Sequence, residues 1–245
     1  MALKQPAVFR LPKDGSTRAE YEDAVAWSRR RRRFAVADGA SASAFARLWA
    51  QLLAQAYVGG QLTADRIEDD LAPLQSRWSD FVGSRNLAWY AVEQARRGAF
   101  AALVGLTLHE AGDWTALAVG DCCMFQVRDA ALVSAVPLSN ADAFDSRPLL
   151  LGSRAAANTD LRAAGAIVTA AGTWLSGDTF LLMSDALAAT CLRQWQTSAK
   201  SPPRQGSRRW CFLILFPETI RRSLTSNGRR ACASFLKVGS SSAKI

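Results

Sequence analysis

Four short acidic stretches occur in a set order along the chain, and each carboxylate lies at the polar end of an apolar, strand-like run. The stretches are Glu22-Asp23, Asp38-Gly39, Gly120-Asp121 and Ser184-Asp185. A strand holds its end rigidly, so carboxylates gathered in this way are suited to hard divalent cations, which take oxygen ligands. Carboxylate-bound Mg²⁺ or Mn²⁺ is a common basis for chemistry on phosphate. The pattern therefore predicts strands that bring acidic side chains to one metal site.

The composition indicates a folded protein and narrows its chemistry. The 245 residues, 49% of them apolar, suffice for one domain with a substantial core or for two small ones. No apolar run reaches the length of a membrane span, and the N-terminus lacks the pattern of a secretory signal. We therefore expect a cytoplasmic protein with no membrane partner. The only histidine is His109, and the five cysteines form no Cys-x-x-Cys pair, which argues against a zinc site or a Ser-His-Asp hydrolase.

The net charge of +9 is confined to one end of the chain. Residues 199–245 hold ten of the 30 basic and one of the 21 acidic side chains, which accounts for the whole excess. The body before this segment is electrically balanced. Five consecutive arginines, Arg29 to Arg33, resemble a nucleic-acid patch, but a solvated hairpin turn is the favoured interpretation because the body carries no basic excess. If that turn lay near a metal site, its field would instead guide phosphorylated substrates. Nucleic acid is therefore not an expected partner.

The first hundred residues predict a hairpin followed by helices. Strands are expected at 7–9, 24–27 and 34–37, with the arginines in the turn between the last two. Apolar residues at helical spacing then predict a helix from Ser41, capped by Ser41 or Ser43 and ended by Gly59-Gly60. More helix is expected over residues 63–97, with Pro73 at a helix start.

The second half predicts mostly strands. They are expected at 100–108, 115–119, 124–127, 132–136, 166–170 and 179–183. A loop over 139–160 with one buried piece at 149–151 interrupts them, and a helix over 186–196 follows them. Meandering strands with helices inserted as pairs indicate an α+β fold in which helices are layered on antiparallel sheets. Alternating βαβ units are absent, which argues against a Rossmann-type sheet.

The Asp38-Gly39 pair has two interpretations. An Asp that leaves a buried strand cannot remain unpaired without cost, and Gly lets the backbone approach an ion closely, so the pair fits a metal site. An Asp-Gly turn between any strand and helix is the plainer alternative. The metal site is favoured because three other acidic stretches also follow strand-like runs.

These motifs, over roughly residues 18–195, resemble the metal-dependent serine/threonine protein phosphatases of the PP2C (PPM) family, in its bacterial-like form. The resemblance implies a sandwich of two antiparallel sheets flanked by helical layers, here incomplete at the C-terminus. It also implies hydrolysis of phosphoserine or phosphothreonine by a water activated by two Mn²⁺ or Mg²⁺ ions, with a phosphorylated protein as substrate.

The resemblance assigns roles to residues that match the family's motifs. Arg18 would hold the substrate phosphate, and Asp38 would bridge the two ions. The other metal ligands would be Glu22 or Asp23, the carbonyl of Gly39, Asp121 and Asp185. The departures are Tyr21 in place of an Asn, Cys122-Cys123 in place of Ser-Arg, and Ala186 in place of a Gly. We expect both cysteines to be buried for packing.

Two features of the family are missing. The His that often follows the Asp-Gly pair is replaced by Ala40-Ser41, and His109 lies on a different, strand-like stretch where a structural role is expected. The acidic pair near the C-terminus is also absent, because no Asp follows Asp185 and the only later acid is Glu218. A catalytically inactive, PP2C-like binding or regulatory module is therefore the alternative.

The chain changes character after residue 197, which divides it into a phosphatase-like domain at 1–197 and an atypical basic segment at 198–245. Its one expected strand is 211–216. The segment is interpreted either as a basic, partly disordered tail that binds nucleic acid or an acidic partner, or as the product of a reading-frame shift near residue 195. The codons of Asn227 to Arg230, read one base onward, allow an Asp-Asp pair like the missing one.

Overall fold

The computed structural model describes residues 3–11, 21–144, 148–159, 161–162, 164–199 and 233–239. Its strands form two antiparallel sheets. The first sheet has the order β1 (Ala7–Leu11), β11 (Ala233–Gly239), β10 (Thr179–Met183), β6 (Cys123–Arg128), β7 (Ala131–Val136). The second has the order β2 (Ala24–Ser28), β3 (Arg33–Gly39), β4 (Phe100–Leu108), β5 (Asp113–Val119), β9 (Ile167–Thr173), with the short β8 (Leu151–Gly152) beside β4.

Within the described ranges, four α-helices complete the layers: α1 (Ala46–Gly59), α2 (Ile67–Gly83), α3 (Trp89–Arg97) and α4 (Asp185–Ala199). Helices α1 and α2 share an apolar core with the outer face of the second sheet, and α4 shares another with the outer face of the first. A third core fills the space between the sheets. The predicted α+β class and two-sheet sandwich are confirmed. Among the described residues, no helix has both the length and the apolar character needed to cross a membrane.

The central strands are buried on both faces. In β3, Phe34 and Val36 face the core between the sheets, whereas Ala35 and Ala37 face the helices. In β10, Phe180 and Leu182 likewise face inward, and their neighbours pack against α4. Burial on both faces explains why these strands read as continuous apolar runs rather than as alternating ones.

The predicted cap of α1 is wrong. The helix begins after Phe45, which has a left-handed backbone (φ 56°) and makes no side-chain capping bond. Ser43 is engaged elsewhere, because its hydroxyl donates to the Ala40 carbonyl and accepts from the Phe100 N–H. The predicted end is confirmed, since Gly60 takes the left-handed conformation of a C-cap (φ 79°).

The prediction that Pro73 starts a helix is wrong, because this residue lies inside α2. The acidic first turn and the buried stripe of Ile67, Leu71, Leu74, Trp78 and Val82 extend the helix to both sides of the proline. Packing of that stripe outweighs the one backbone hydrogen bond that a proline removes.

The expected buried piece at 149–151 is only partly correct. Leu151 is buried in β8, but Leu149 is 53% exposed. A two-residue strand fixes Leu151 beside Ala101 of β4, whereas Leu150 is only partly buried against the core between the sheets.

The segment 198–245 contributes a strand that sequence patterns did not predict. β11 lies between β1 and β10 and pairs with both over five residues each. Phe235, Leu236 and Val238 are at most 1% exposed. The expected strand at 211–216 lies outside the described residues, and so does Glu218. The division at residue 197 stays a prediction.

The arginine turn joins β2 to β3, as predicted, but several of its side chains bind the protein itself. Arg29 donates to the Leu3 carbonyl (3.0 Å), and Arg31 donates to the carbonyl of Gly59 at the end of α1. Arg33 stacks over the Tyr57 ring at 4.5 Å. The turn lies at the opposite ends of β2 and β3 from Asp23 and Asp38, which does not favour steering of substrates by these arginines.

Asp178, at the turn before β10, is 2% exposed and fully engaged. Its Oδ1 accepts from Arg128 Nε (2.7 Å), and its Oδ2 accepts from Arg128 Nη2 (2.8 Å), Gln126 Nε2 (2.7 Å) and the Leu175 N–H (2.9 Å). Burial alone would raise the pKa of this carboxyl, but these hydrogen bonds outweigh it and hold the pKa below its ordinary value.

We expect Asp178→Ala to lower the free energy of unfolding at pH 7 by about 2 to 3 kcal/mol, because one buried N–H of Gln126 and the partly buried N–H of Leu175 lose this acceptor. Since the folded-state pKa is depressed, this contribution is present above about pH 4 and is lost as the pH falls through the folded-state pKa. Urea unfolding across this range measures the effect. Asp80→Ala, at an exposed position of α2, is the control, and equal losses in both variants would contradict the prediction.

Candidate metal centre

The four predicted acidic stretches meet at one end of the two sheets. Asp23 directly precedes β2, whose first residue pairs with Ala37, so it lies beside Asp38 near the end of β3. Asp38 pairs with Ala102 of β4, and the next residue, Leu103, pairs with Val119 at the end of β5. Asp121 follows that end by two residues.

Within the first sheet, the register of β6 and β10 brings Asp185 to the same end of the fold as Asp121. Cys123 pairs with Met183, so the segment carrying Asp121 runs beside the end of β10. Asp185 follows two residues later as the first residue of α4, and its Oδ1 accepts from the Ala186 N–H. The N-terminus of a helix favours negative charge, which suits a carboxylate at this position.

The electrostatics show that these side chains act on one another. Burial raises the pKa of Asp38 well above its ordinary value, and the charges of Asp23, Asp185 and Asp121 and a hydrogen bond with Asp23 raise it further. Burial, followed by the charge of Asp185, raises the pKa of Asp121 to about 6. Among the described residues, no cationic side chain contributes to either shift. The cluster is a concentration of negative charge that a divalent cation would neutralise.

Cys122 lies within this cluster, which the sequence did not reveal. Burial raises the pKa of its thiol well above the ordinary value, as do the charges of Asp38, Asp121, Asp23 and Asp185. Both Cys122 and Cys123 are 0% exposed and free. The expectation that they are packing residues is confirmed, and the raised pKa values make thiolate chemistry unfavourable.

Two glycines adjacent in sequence to Asp38 and Asp121 allow close packing against neighbouring elements. A Cβ on Gly39 would lie 2.9 Å from backbone atoms of Ala46 at the start of α1. Gly120 has φ 87°, and a Cβ there would lie 2.8 Å from the Cβ of Ala102. Both positions therefore require glycine, which explains why Gly accompanies Asp38 and Asp121 in the sequence.

Glu22 is held differently from Asp23. The hydroxyl of Ser41 donates to Glu22 Oε2, linking the stretch before β2 to the loop after Gly39. Asp23 is 4% exposed, whereas Glu22 is half-buried. Of the two candidates, Asp23 is the one whose charge acts on Asp38.

The donor set suits hard cations, with one restriction. Across the described ranges, no three or more His, Cys, Asp or Glu side chains are arranged to hold a single ion. Mg²⁺ commonly keeps several waters and takes only one or two carboxylates, so a set of oxygen donors distributed over two ions fits it.

Arg18, the predicted phosphate ligand, lies outside the described residues. His109 was expected on a strand, but it is exposed on the β4–β5 turn. Its Nε2 forms a hydrogen bond of 3.1 Å with Thr115 Oγ1.

Comparison with solved structures identifies the fold. The Mycobacterium tuberculosis serine/threonine phosphatase PstP/Ppp matches with a TM-score of 0.60 and 16% identity, over 98% of this chain and 100% of that one. A bacterial serine phosphatase matches with a TM-score of 0.60 and 9% identity, over 98% and 99%. PppA, a regulatory component of the T6SS in Pseudomonas aeruginosa, matches with a TM-score of 0.52 and 18% identity, over 96% of each chain.

The chain therefore has the fold of the PP2C-type (PPM) serine/threonine phosphatases, and the resemblance read from its motifs is confirmed at that level. The catalytic domain of PstP, with a TM-score of 0.56 and 15% identity over 97% of this chain and 98% of that one, was solved in complex with two manganese ions. No family model and no curated protein matches this sequence.

Proposed function

We propose that this protein is a metal-dependent phosphatase that hydrolyses phosphoserine or phosphothreonine in a protein substrate. The observation that supports this most is the mutual repulsion of Asp23, Asp38, Asp121 and Asp185 at one end of the PP2C sandwich. Carboxylates crowded together at a cost to the fold are expected where a cation compensates them. We also propose that the protein acts in the cytoplasm.

Asp38 and Gly39, with Asp23 or Glu22, Asp121 and Asp185, would hold two Mn²⁺ or Mg²⁺ ions. When bound, such ions supply Lewis-acid activation of a water for in-line attack on phosphorus. Asp38 takes the central position because three other aspartates act on it. Arg18 would grip the phosphate oxygens with its planar guanidinium. Ser41 orients Glu22 through its hydroxyl.

A second candidate is a PP2C-like module that binds a partner without catalysis. It is favoured by the lack of any Asp after Asp185 and by the absence, among the described residues, of a group of three side chains placed for one ion. A site with fewer ligands binds its ions more weakly and holds substrate less rigidly, which lowers turnover before it alters the fold.

Manganese titration of the full chain tests the proposal. We expect calorimetry to show two Mn²⁺ ions bound, and hydrolysis of p-nitrophenyl phosphate and of a phosphothreonine peptide to depend on Mn²⁺ and to stop on chelation. Binding without hydrolysis would favour the inactive module. Hydrolysis that is indifferent to Mn²⁺ would refute the metal mechanism.

A further inference from the structure

A groove lies beside the candidate metal centre, between the first turns of α1 and the C-terminal end of α2. Its volume is about 620 Å³. Ala46, whose backbone packs against Gly39, is flanked in sequence by two residues that line the groove, Phe45 and Arg47. The groove and the metal centre are therefore joined by the same short segment.

The floor of the groove is apolar. Phe45, Leu48, Phe81 and Leu87 line it, and each is only partly buried against the core beneath. The rings of Phe45 and Phe81 meet edge to face with centroids 6.0 Å apart. The left-handed backbone of Phe45 is costly for a bulky residue and persists only where surrounding packing holds it. The partly exposed rings of Phe45 and Phe81 therefore form a surface on which one apolar side chain of a ligand can pack.

The rim of the groove is basic. Arg85 lies over the Phe81 ring at 4.4 Å, and Arg47 is exposed on α1. Stacking on an aromatic face leaves the N–H edge of a guanidinium available to carboxylates or phosphates. Among the residues that the structure describes, no acidic side chain lines the groove. Its charge therefore complements an acidic ligand.

We propose that this groove docks an acidic segment of the phosphoprotein substrate. One aliphatic or aromatic side chain of that segment would lie on Phe45 and Phe81, and its carboxylates would bind Arg85 and Arg47. The identity of the partner as a substrate rests on the proposed phosphatase function, but the chemistry of the groove does not. Binding energy gained here would position a phosphorylated residue at the aspartate cluster.

Fluorescence anisotropy with a labelled peptide, Asp-Glu-Asp-Leu-Glu-Asp, tests the groove without any need for catalysis. Gln51 also lines the groove. We expect Arg85→Glu and Gln51→Glu to weaken binding about fivefold or more, and binding to weaken further at high salt. Arg30→Glu, the same charge change at the distant arginine turn, should alter binding less than about twofold. Replacing the leucine by serine should weaken binding as well. Thermal melting of each variant verifies that it is folded.

Turnover in Mn²⁺ separates this proposal from the proposed function. For Arg85→Glu, kcat/KM for a phosphothreonine peptide that carries the acidic segment should fall about fivefold relative to the same peptide with serines in its place. Equal effects of Arg85→Glu and Arg30→Glu, or no peptide binding by the unaltered protein, would overturn the docking groove. Groove-dependent binding without turnover would support the groove and contradict the phosphatase function.

Discussion

Asp38→Asn is expected to reduce Mn²⁺-dependent hydrolysis by roughly three orders of magnitude, equivalent to about 4 kcal/mol of transition-state stabilisation. The amide keeps the size of the side chain but removes the charge at the centre of the cluster. Three other aspartates act on Asp38, so its charge is the one that the whole cluster shares. Initial rates with p-nitrophenyl phosphate over a Mn²⁺ titration measure the loss.

The same substitution should stabilise the metal-free protein at neutral pH. The pKa of Asp38 is raised by burial and by neighbouring charges, so its ionised form opposes folding, and the neutral amide relieves that repulsion. Catalytic loss together with increased stability is the signature of a functional charge cluster rather than of a damaged core. Urea unfolding with a chelator present provides the measurement.

The pH dependence of the metal-free protein follows from Asp121. Its folded-state pKa of about 6 exceeds the ordinary value, so its contribution to stability is fully present below about pH 4 and is lost as the pH rises to about 6 and above. The loss is of the order of 2 to 3 kcal/mol by neutral pH. Added Mn²⁺ should restore stability above pH 6. Asp80→Asn, at an exposed position, should leave the dependence of stability on pH unchanged, both without and with Mn²⁺.

For Asp38→Asn, a protein that is destabilised but fully active would contradict the proposed site.

Removal of residues 198–245 is expected to abolish cooperative folding, although the composition of this segment suggests a dispensable tail. β11 separates β1 from β10, so its loss removes both ladders and leaves β1 without a described strand partner. Leu236, which is 0% exposed between the sheets, tests the same point in the full chain. Leu236→Ala should lower the free energy of unfolding by about 3 to 5 kcal/mol.

Leu236→Met, which conserves volume, should cost less than about 1.5 kcal/mol and serves as the matched control. Denaturant unfolding followed by tryptophan fluorescence and by circular dichroism measures all three proteins. If the truncated chain unfolded cooperatively with the stability of the full chain, β11 would not be part of the native sheet.

Tests for nucleic-acid binding by residues 198–245 should accordingly use charge substitutions in that segment, because its deletion also removes a strand.

β11 also bears on the reading-frame hypothesis. The strand is encoded in the frame of the present sequence, and Phe235 faces α4 while Leu236 and Val238 face the inter-sheet core. A frame shift upstream would have to yield this two-faced apolar strand by coincidence. Sequencing the gene across codons 190 to 230 resolves the point, and the frame shift remains a hypothesis.

The sequence by itself determined the parts of this protein that depend on neighbours along the chain. The β2–β3 hairpin, the end of α1 at Gly60 and the strands from β4 to β7 follow from local patterns of apolar, turn and capping residues, because those residues act within a few positions of themselves. The placement of Asp38, Asp121 and Asp185 after apolar runs was visible for the same reason.

Only the tertiary structure decided what depends on partners distant in sequence. Ser43 does not cap α1 because its hydroxyl is hydrogen-bonded to the backbone of Phe100. Helix α2 continues past Pro73 because its buried apolar stripe packs against the core. β11 is a strand because β1 and β10 lie on either side of it. The arginine turn binds Leu3 and Gly59, which its own sequence cannot indicate. The charge cluster exists because antiparallel register brings the ends of four separate segments together, and such long-range pairing leaves no periodic trace in the chain.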